Sequence, residues 1–387
     1  MFKGCFPFVH IIVVGIICVL NGCAETSLQN TLPLANDPIT LTVAEEKAGH
    51  NLLFNQGLEQ DLNDKNVLGL QSRIDVLSIA KQLRKTQTQQ FTNPMTTAKM
   101  AADLKQQLLS GMLELSSLFT WHYLHSEIIE DDKIAAYYRL DSDEGYSYIT
   151  FWLTAQSYDI YDFHSVSFHL STLNFVSEFT QLFTKYSGKQ AQLAELIIAS
   201  QKNELAQLLS LYEVLDTDIK AEPVLNDFLL RKYSQMQNTS PAFKAALVNN
   251  YEQLNMSSLL FEAFYIQQDN FTQAIKMVEG LPDFARQDSK MVSELAILHA
   301  YNQDFEQAER LGRQAILAKP NDNEAYFVFL QVSLLAKDYD LSIELIEELI
   351  SKFNFIMGQD TIAEFDDSAN FMRSDQYQQW LKKRSLS

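Results

Sequence analysis

Cysteine is nearly absent from the 387-residue chain: the three that occur, Cys5, Cys18 and Cys23, all lie in the first 23 positions. From residue 24 onward there is no thiol, so the body can form no internal disulfide, no Cys/His metal cluster and no thiolate nucleophile. Positive charge is also short, with 30 Lys and Arg against 49 Asp and Glu and a formal charge of −19. Nucleic acid and anionic lipid surfaces bind through clustered Lys and Arg, so no nucleic-acid partner is expected. The acidity suits solubility, or the steering of a basic partner. Catalytic signatures are missing as well. No G-x-S-x-G or H-E-x-x-H run occurs, and Ser187-Gly188-Lys189 lacks the upstream glycine of a phosphate-cradling loop. The body therefore reads as non-enzymatic, with no catalytic residues, no metal site and no cofactor.

What is present begins with a leader. Lys3 is its only charge, an apolar run extends from Phe6 to Leu20, and Leu20-Asn21-Gly22-Cys23 follows. The run is short for a membrane span, which needs about 20 apolar residues, and polar sequence follows at once, so residues 1–22 read as a cleaved signal peptide. Leu20 to Cys23 resemble the lipobox of bacterial lipoproteins. That resemblance implies a diacylglycerol on the Cys23 thiol, acyl chains such as palmitate, and Cys23 as the mature N-terminus; an ordinary secretory signal ending near Cys23 is the alternative. Several acyl chains, at about 0.8 kcal/mol per buried methylene, hold a protein on a membrane effectively for good. Residue 24 is Ala where inner-membrane lipoproteins of that family carry Asp, which implies an outer-membrane anchor facing the periplasm.

Residues 23–50 are polar and without period, broken by Pro33 and Pro38, and read as the lipidated cysteine and a flexible linker. Residues 51–170 read as an α+β domain. Ile74, Leu77, Ile79 and Leu83 mark one helix; Met100, Leu104, Leu108, Met112 and Leu115 mark a second, with Thr96 or Thr97 as its N-cap. Four strands follow, Phe119–Glu130, Lys133–Leu140, Tyr146–Ala155 and Tyr158–His169, with aspartate-rich turns between them. Helices packed on a four-stranded antiparallel sheet resemble the cystatin-like and nuclear-transport-factor-like cone folds, which implies an apolar cavity.

Residues 171–254 read as irregular helical hairpins, with Pro223 and Pro241 each opening a helix. From 255 to 356 a period emerges. Phe271, Phe305 and Tyr339 are spaced 305 − 271 = 34 and 339 − 305 = 34, and each is followed three places later by a small residue, Ala274, Ala308 and Ser342. Together with Ala315 and Pro320, these segments resemble tetratricopeptide (TPR) repeats of two antiparallel helices. The family's glycine position falls on Glu262, Ala296 and Leu330, and upstream Phe243 and Ala246 keep only the aromatic-to-small spacing. The resemblance implies three stacked helix pairs, with small residues where two helices approach and the three aromatics in the seams. Residues 357–387 read as a capping segment, with Tyr377, Trp380 and Leu381 on one stripe of its last helix.

The expected fold is thus an α+β domain followed by an all-α, TPR-like solenoid, predominantly helical overall. The expected function is that of an outer-membrane lipoprotein whose repeats act as a scaffold or assembly factor for a protein or peptide partner, one of basic character suiting the charge. The alternative is a small-ligand-binding or catalytic α+β domain, its pocket lined by His125, Arg139 and Trp152, with the repeats as a docking module. A third reading has the repeats bracing the molecule with their concave face self-occupied. His122 and His125 are three apart on an expected strand, which would send them to opposite faces.

Overall fold

Alternating aromatic and β-branched residues between 119 and 165 form four strands, the last of them shorter than the expected Tyr158–His169 because a turn begins at Val166, and the antiparallel sheet they build has the order β1-β2-β3-β4. The strands are β1 (Thr120–Glu130), β2 (Lys133–Ser142), β3 (Gly145–Thr154) and β4 (Ile160–Ser165). The computed structural model describes residues 43–85, 93–130, 132–143, 145–168, 170–202, 204–234, 247–249 and 257–384. The leader with Cys23, Pro33, Pro38, His169, Pro241, Phe243 and Ala246 lie outside the described residues. Among the described residues no helix is long and apolar enough to cross a membrane.

Four helices precede the sheet: α1 (Val43–Asn63), α2 (Val67–Arg73), α3 (Val76–Lys85) and α4 (Pro94–Leu118). The first begins inside the stretch read as linker. From Leu52 onward its buried residues are Leu58, Leu62 and Asn55, and the Asn55 side chain and carbonyl accept from the Tyr138 hydroxyl. The cap of α4 is Asn93, not Thr96 or Thr97. Its side chain accepts from the amides of Met95 and Thr96, while the Thr97 hydroxyl donates to the Asn93 carbonyl. Asn93 wins because Pro94 takes the first helical position, where a missing N–H costs nothing.

The helices cover the sheet face that carries Trp121, Tyr138 and Phe151, all fully buried. The Trp121 indole donates to Ser116 on α4, and the Asn63 side chain both accepts from and donates to the Trp121 backbone, standing in for a further strand at that point of the edge. After the sheet come α5 (Thr172–Lys185), α6 (Gln190–Gln201), α7 (Leu205–Glu213), α8 (Thr217–Lys220) and α9 (Pro223–Ser234), the last opened by its proline as expected. The chain divides after Met256 into two compact units, so the helices of 171–254 belong with the sheet.

The second unit contains α10 (Leu259–Ile266), α11 (Phe271–Glu279), α12 (Asp283–Arg286), α13 (Ser289–Tyr301), α14 (Phe305–Ala318), α15 (Asn323–Leu335), α16 (Tyr339–Phe353), α17 (Gln359–Ile362), α18 (Ser368–Arg373) and α19 (Asp375–Arg384). Helices α10 and α11, α13 and α14, and α15 and α16 pack as consecutive pairs. The turn inside each pair is built alike. A left-handed residue, Asp269, Gln303 or Lys337, is followed by a capping Asn270, Asp304 or Asp338 whose side chain accepts from the amide three residues on. Ala274, Ala308, Ala315 and Ser342 are completely buried, as close helix approach requires. Phe271 stacks on Tyr301 at 5.1 Å and Tyr339 tilts on Phe371 at 5.5 Å. Phe305 differs: it is 37% exposed and so fills less of its seam than expected. Pro320 follows the end of α14, and Asp322 caps α15.

Candidate functional site

The first helices of the three pairs, α10, α13 and α15, bring together a stripe of polar side chains in the second unit. Lys290, Glu294 and Tyr301 lie along one side of α13, four and then seven residues apart, and Glu324, Phe327 and Gln331 along α15. Lys290 pairs with Glu324 across the two helices at 3.1 Å. Glu262 on α10 lies close enough to Glu294 on α13 for each carboxyl to affect the other's charge. Glu262 is 9% exposed and its Oε1 has no hydrogen-bond partner. Burial pushes the Glu262 carboxyl well above the ordinary range, and the neighbouring Glu294 adds to the effect; burial raises Glu294 too.

The other end of the stripe is occupied by the chain itself. Phe327 carries Phe355 edge-on at 4.9 Å and Phe365 stacked at 6.2 Å. The Gln331 side chain accepts from the Asp366 amide at 2.9 Å and donates to the Asp366 carbonyl at 3.2 Å. The Tyr301 hydroxyl donates to the Asp366 carboxylate. A side-chain amide that grips both backbone groups of one residue is a means of holding an irregular segment, and here it holds residues 354–366.

A second groove of about 510 Å³ opens in the same unit, lined among others by Arg286, His299, Asp304, Gln307 and Arg310. Several of its polar groups have local partners. Arg286 pairs with Asp283, His299 lies 3.1 Å from Asp304, and Arg310 donates to Gln307 at 2.9 Å.

On the sheet, the residues expected to line a ligand pocket share one face but are separately engaged. The Arg139 guanidinium holds Asp141 with two hydrogen bonds, at 2.9 and 3.0 Å. His125 is exposed, with its ring 4.8 Å from that of Tyr137, and half-buried Trp152 stands opposite Ala135. Tyr137, Tyr148 and Thr150 fill the same face and are buried. His122 and His125 do not point to opposite faces. Tyr123 pairs with Tyr138 and His125 with Tyr137, so Leu124 is an extra residue that inverts the alternation, and both histidines fall on the Arg139 face. His122 lies 3.2 Å from Asp141.

The most buried charges of the first unit form a latch around the start of α5. Asp162 accepts from the amides of Phe163 and Leu173 at 2.8 and 3.0 Å. Burial pushes its carboxyl up to about 7, against those bonds, one from Ser171 and the Arg231 charge. Arg231 donates to Asp227 at 2.8 Å and to the Leu170 carbonyl, and its guanidinium lies between the rings of Phe168 and Phe175. These groups satisfy one another and pin a loop to a helix. Among the described residues no group of three or more His, Cys, Asp or Glu is placed to hold a metal ion.

Sequence reasoning missed the Glu262–Glu294 pair. The available signal was a departure from pattern: Glu262 occupies a position where the repeat resemblance expects glycine. Comparison of the chain with protein-family models, with curated proteins and with solved structures yields no match.

Proposed function

We propose that this chain is an outer-membrane lipoprotein, anchored through Cys23 and facing the periplasm, whose second unit is a TPR-type scaffold for a protein or peptide partner. The observation that carries the scaffold reading is the threefold recurrence, at 34 residues, of one turn design. A left-handed residue, a capping Asn or Asp, an aromatic and a small residue stand at 269, 270, 271 and 274, and the same set returns from 303 and from 337. Recurrence of a whole supersecondary unit favours stacking into a continuous core, because one helix pair cannot bury both of its faces. The first-helix stripe is the partner-facing surface in this reading. The anchor rests on the Leu20–Cys23 motif and on the absence of any later thiol.

The reading is tested by photocrosslinking in the intact envelope. A photoreactive p-benzoylphenylalanine in place of Lys290 or Val328, on the first helices, is expected to give a discrete crosslinked species. The same residue in place of Glu309, on the opposite helix of its pair, is expected to give none. Equal labelling at all three positions, or none at any, refutes the scaffold.

A further inference from the structure

Phe365 and Asp366 lie at the surface, half-buried and exposed, yet the ring, the backbone and the carboxylate of this pair are each met by a side chain of the first helices. The Phe365 ring stacks on Phe327 of α15. The Asp366 amide and carbonyl are both held by the Gln331 side chain, and its carboxylate accepts from the Tyr301 hydroxyl of α13. Other residues fix the segment to the fold. Ile362 before the pair and Phe371 after it are completely buried, and apolar burial is the main source of packing stability, whereas a hydrogen bond at the surface trades one partner for water at little gain. The receiving surface is built without its occupant. Phe355, edge-on to Phe327, is tied to the end of α16 by its amide, which donates to the Leu349 carbonyl at 3.1 Å, and Tyr301 is stacked on Phe271.

We infer that the end of the stripe formed by Tyr301, Phe327 and Gln331 is a recognition site for an aromatic–aspartate dipeptide, that Phe365-Asp366 is its internal occupant, and that the partner presents the same dipeptide in trans. This rests on the scaffold reading and names the chemistry of one anchor of its partner. The three side chains divide the recognition. Gln331 reads backbone and accepts any exposed segment, Phe327 with Phe355 as a side wall selects a ring, and Tyr301 selects a carboxylate, because a charged acceptor makes the stronger hydrogen bond. Ile362 and Phe371 tether the occupant on both sides, so its effective concentration is on the order of mM. A partner therefore takes the site by exchange: the ring contact and the three hydrogen bonds made within the chain are remade across the interface. A segment lacking the ring or the carboxylate loses that exchange.

The test uses the full chain and a fluorescent, amidated peptide of residues 363–369, Ala-Glu-Phe-Asp-Asp-Ser-Ala, with binding read by anisotropy. Two control peptides carry alanine for the phenylalanine or for the first aspartate. Phe365→Ala with Asp366→Ala in the protein weakens the internal occupant and opens the site. The opened chain is expected to bind the peptide at least tenfold more tightly than the unaltered chain does, and to bind each control at least tenfold more weakly than the peptide. Adding Gln331→Ala to the opened chain is expected to abolish binding. Adding Tyr301→Phe, which keeps the ring, is expected to make the peptide and its aspartate control bind alike. A thermal melt of each variant checks folding, and Asp366→Ala alone opens the site if the double change unfolds. No binding to the folded, opened chain, equal binding of the three peptides, or binding that survives Gln331→Ala overturns the dipeptide site. A discrete crosslink from position 290 or 328 alongside any of those outcomes leaves the scaffold standing and removes only the dipeptide site; loss of both removes the scaffold.

Discussion

Gly312 stands in the interior of α14, where a glycine ordinarily weakens a helix by about 1 kcal/mol relative to alanine. Replacing it with alanine should therefore stabilise the chain, unless space forbids. A Cβ at position 312 would meet the Phe329 ring 2.7 Å from Cε2 and 2.8 Å from Cγ, with Cδ2 closer still. Phe329 on α15 is 2% exposed, and the Arg313 guanidinium sits 5.7 Å from its ring centroid, so the ring has little freedom to withdraw. Ordinary carbon contact requires about 3.5–4.0 Å, and forcing such a shift in a packed core costs about 1–3 kcal/mol. Against the helix gain, Gly312→Ala should lose about 1 kcal/mol net. Urea unfolding gives the size of the change, and hydrogen exchange in α14 and α15 localises it to the second unit. In a Phe329→Leu background the same alanine should instead stabilise by about 1 kcal/mol, a coupling of about 2 kcal/mol between contacting residues. Stabilisation by Gly312→Ala in the unmodified chain would show that α14 and α15 do not approach through this glycine.

Asp304→Ala removes the side chain that accepts from the Gln307 amide and faces His299, and should cost about 1 kcal/mol as other N-cap losses do; unchanged exchange in the first turn of α14 would contradict the cap. Asp162, raised from 3.8 to about 7, holds its proton in the folded chain over a range where the unfolded chain has lost it. Its contribution is therefore fullest below about pH 4 and declines as pH rises to about 7, by at most about 4 kcal/mol. Asp162→Asn should flatten that decline, and parallel stability curves for the two proteins between pH 5 and 8 would refute the assignment. Cys23→Ser should move the protein from the membrane to the soluble periplasmic fraction, and unchanged membrane retention counts against the lipid anchor.

The strands were legible because their signals are local: aromatic and β-branched alternation sets each strand, and aspartates set the turns. The helix pairs were legible because the 34-residue recurrence repeats local turn chemistry. Features settled by distant partners were not. Helix α1 hides in polar sequence because one of its buried positions is Asn55, which becomes tolerable only through Tyr138, 83 residues away. The bulge at Leu124 has no signature in its own residues, yet it decides which face His125 takes. Glu262 and Glu294 are 294 − 262 = 32 apart, out of step with the 34-residue period, so their meeting depends on how α10 and α13 pack.

Under the proposed scaffold reading, self-occupation of the stripe is the feature that most constrains how a partner would engage the second unit. With Phe327 covered by Phe355 and Phe365, and Gln331 bound to the Asp366 backbone, a ligand has either to stop short of α15's later turns or to displace residues 354–366. The hold of that segment can be weakened at one point. Gln331→Ala removes two hydrogen bonds of about 0.5–1.5 kcal/mol each, leaving the aromatic contacts in place. Amide exchange at Asp366 and its neighbours should then quicken by about tenfold, the equivalent of 1.4 kcal/mol, while α13 stays protected. Exchange that does not change would mean that the aromatic contacts alone fix the segment, making it part of the stripe's permanent floor. Exchange that quickens throughout α15 would mean that the segment supports the helix it covers, and that a partner could not displace it without loosening the scaffold.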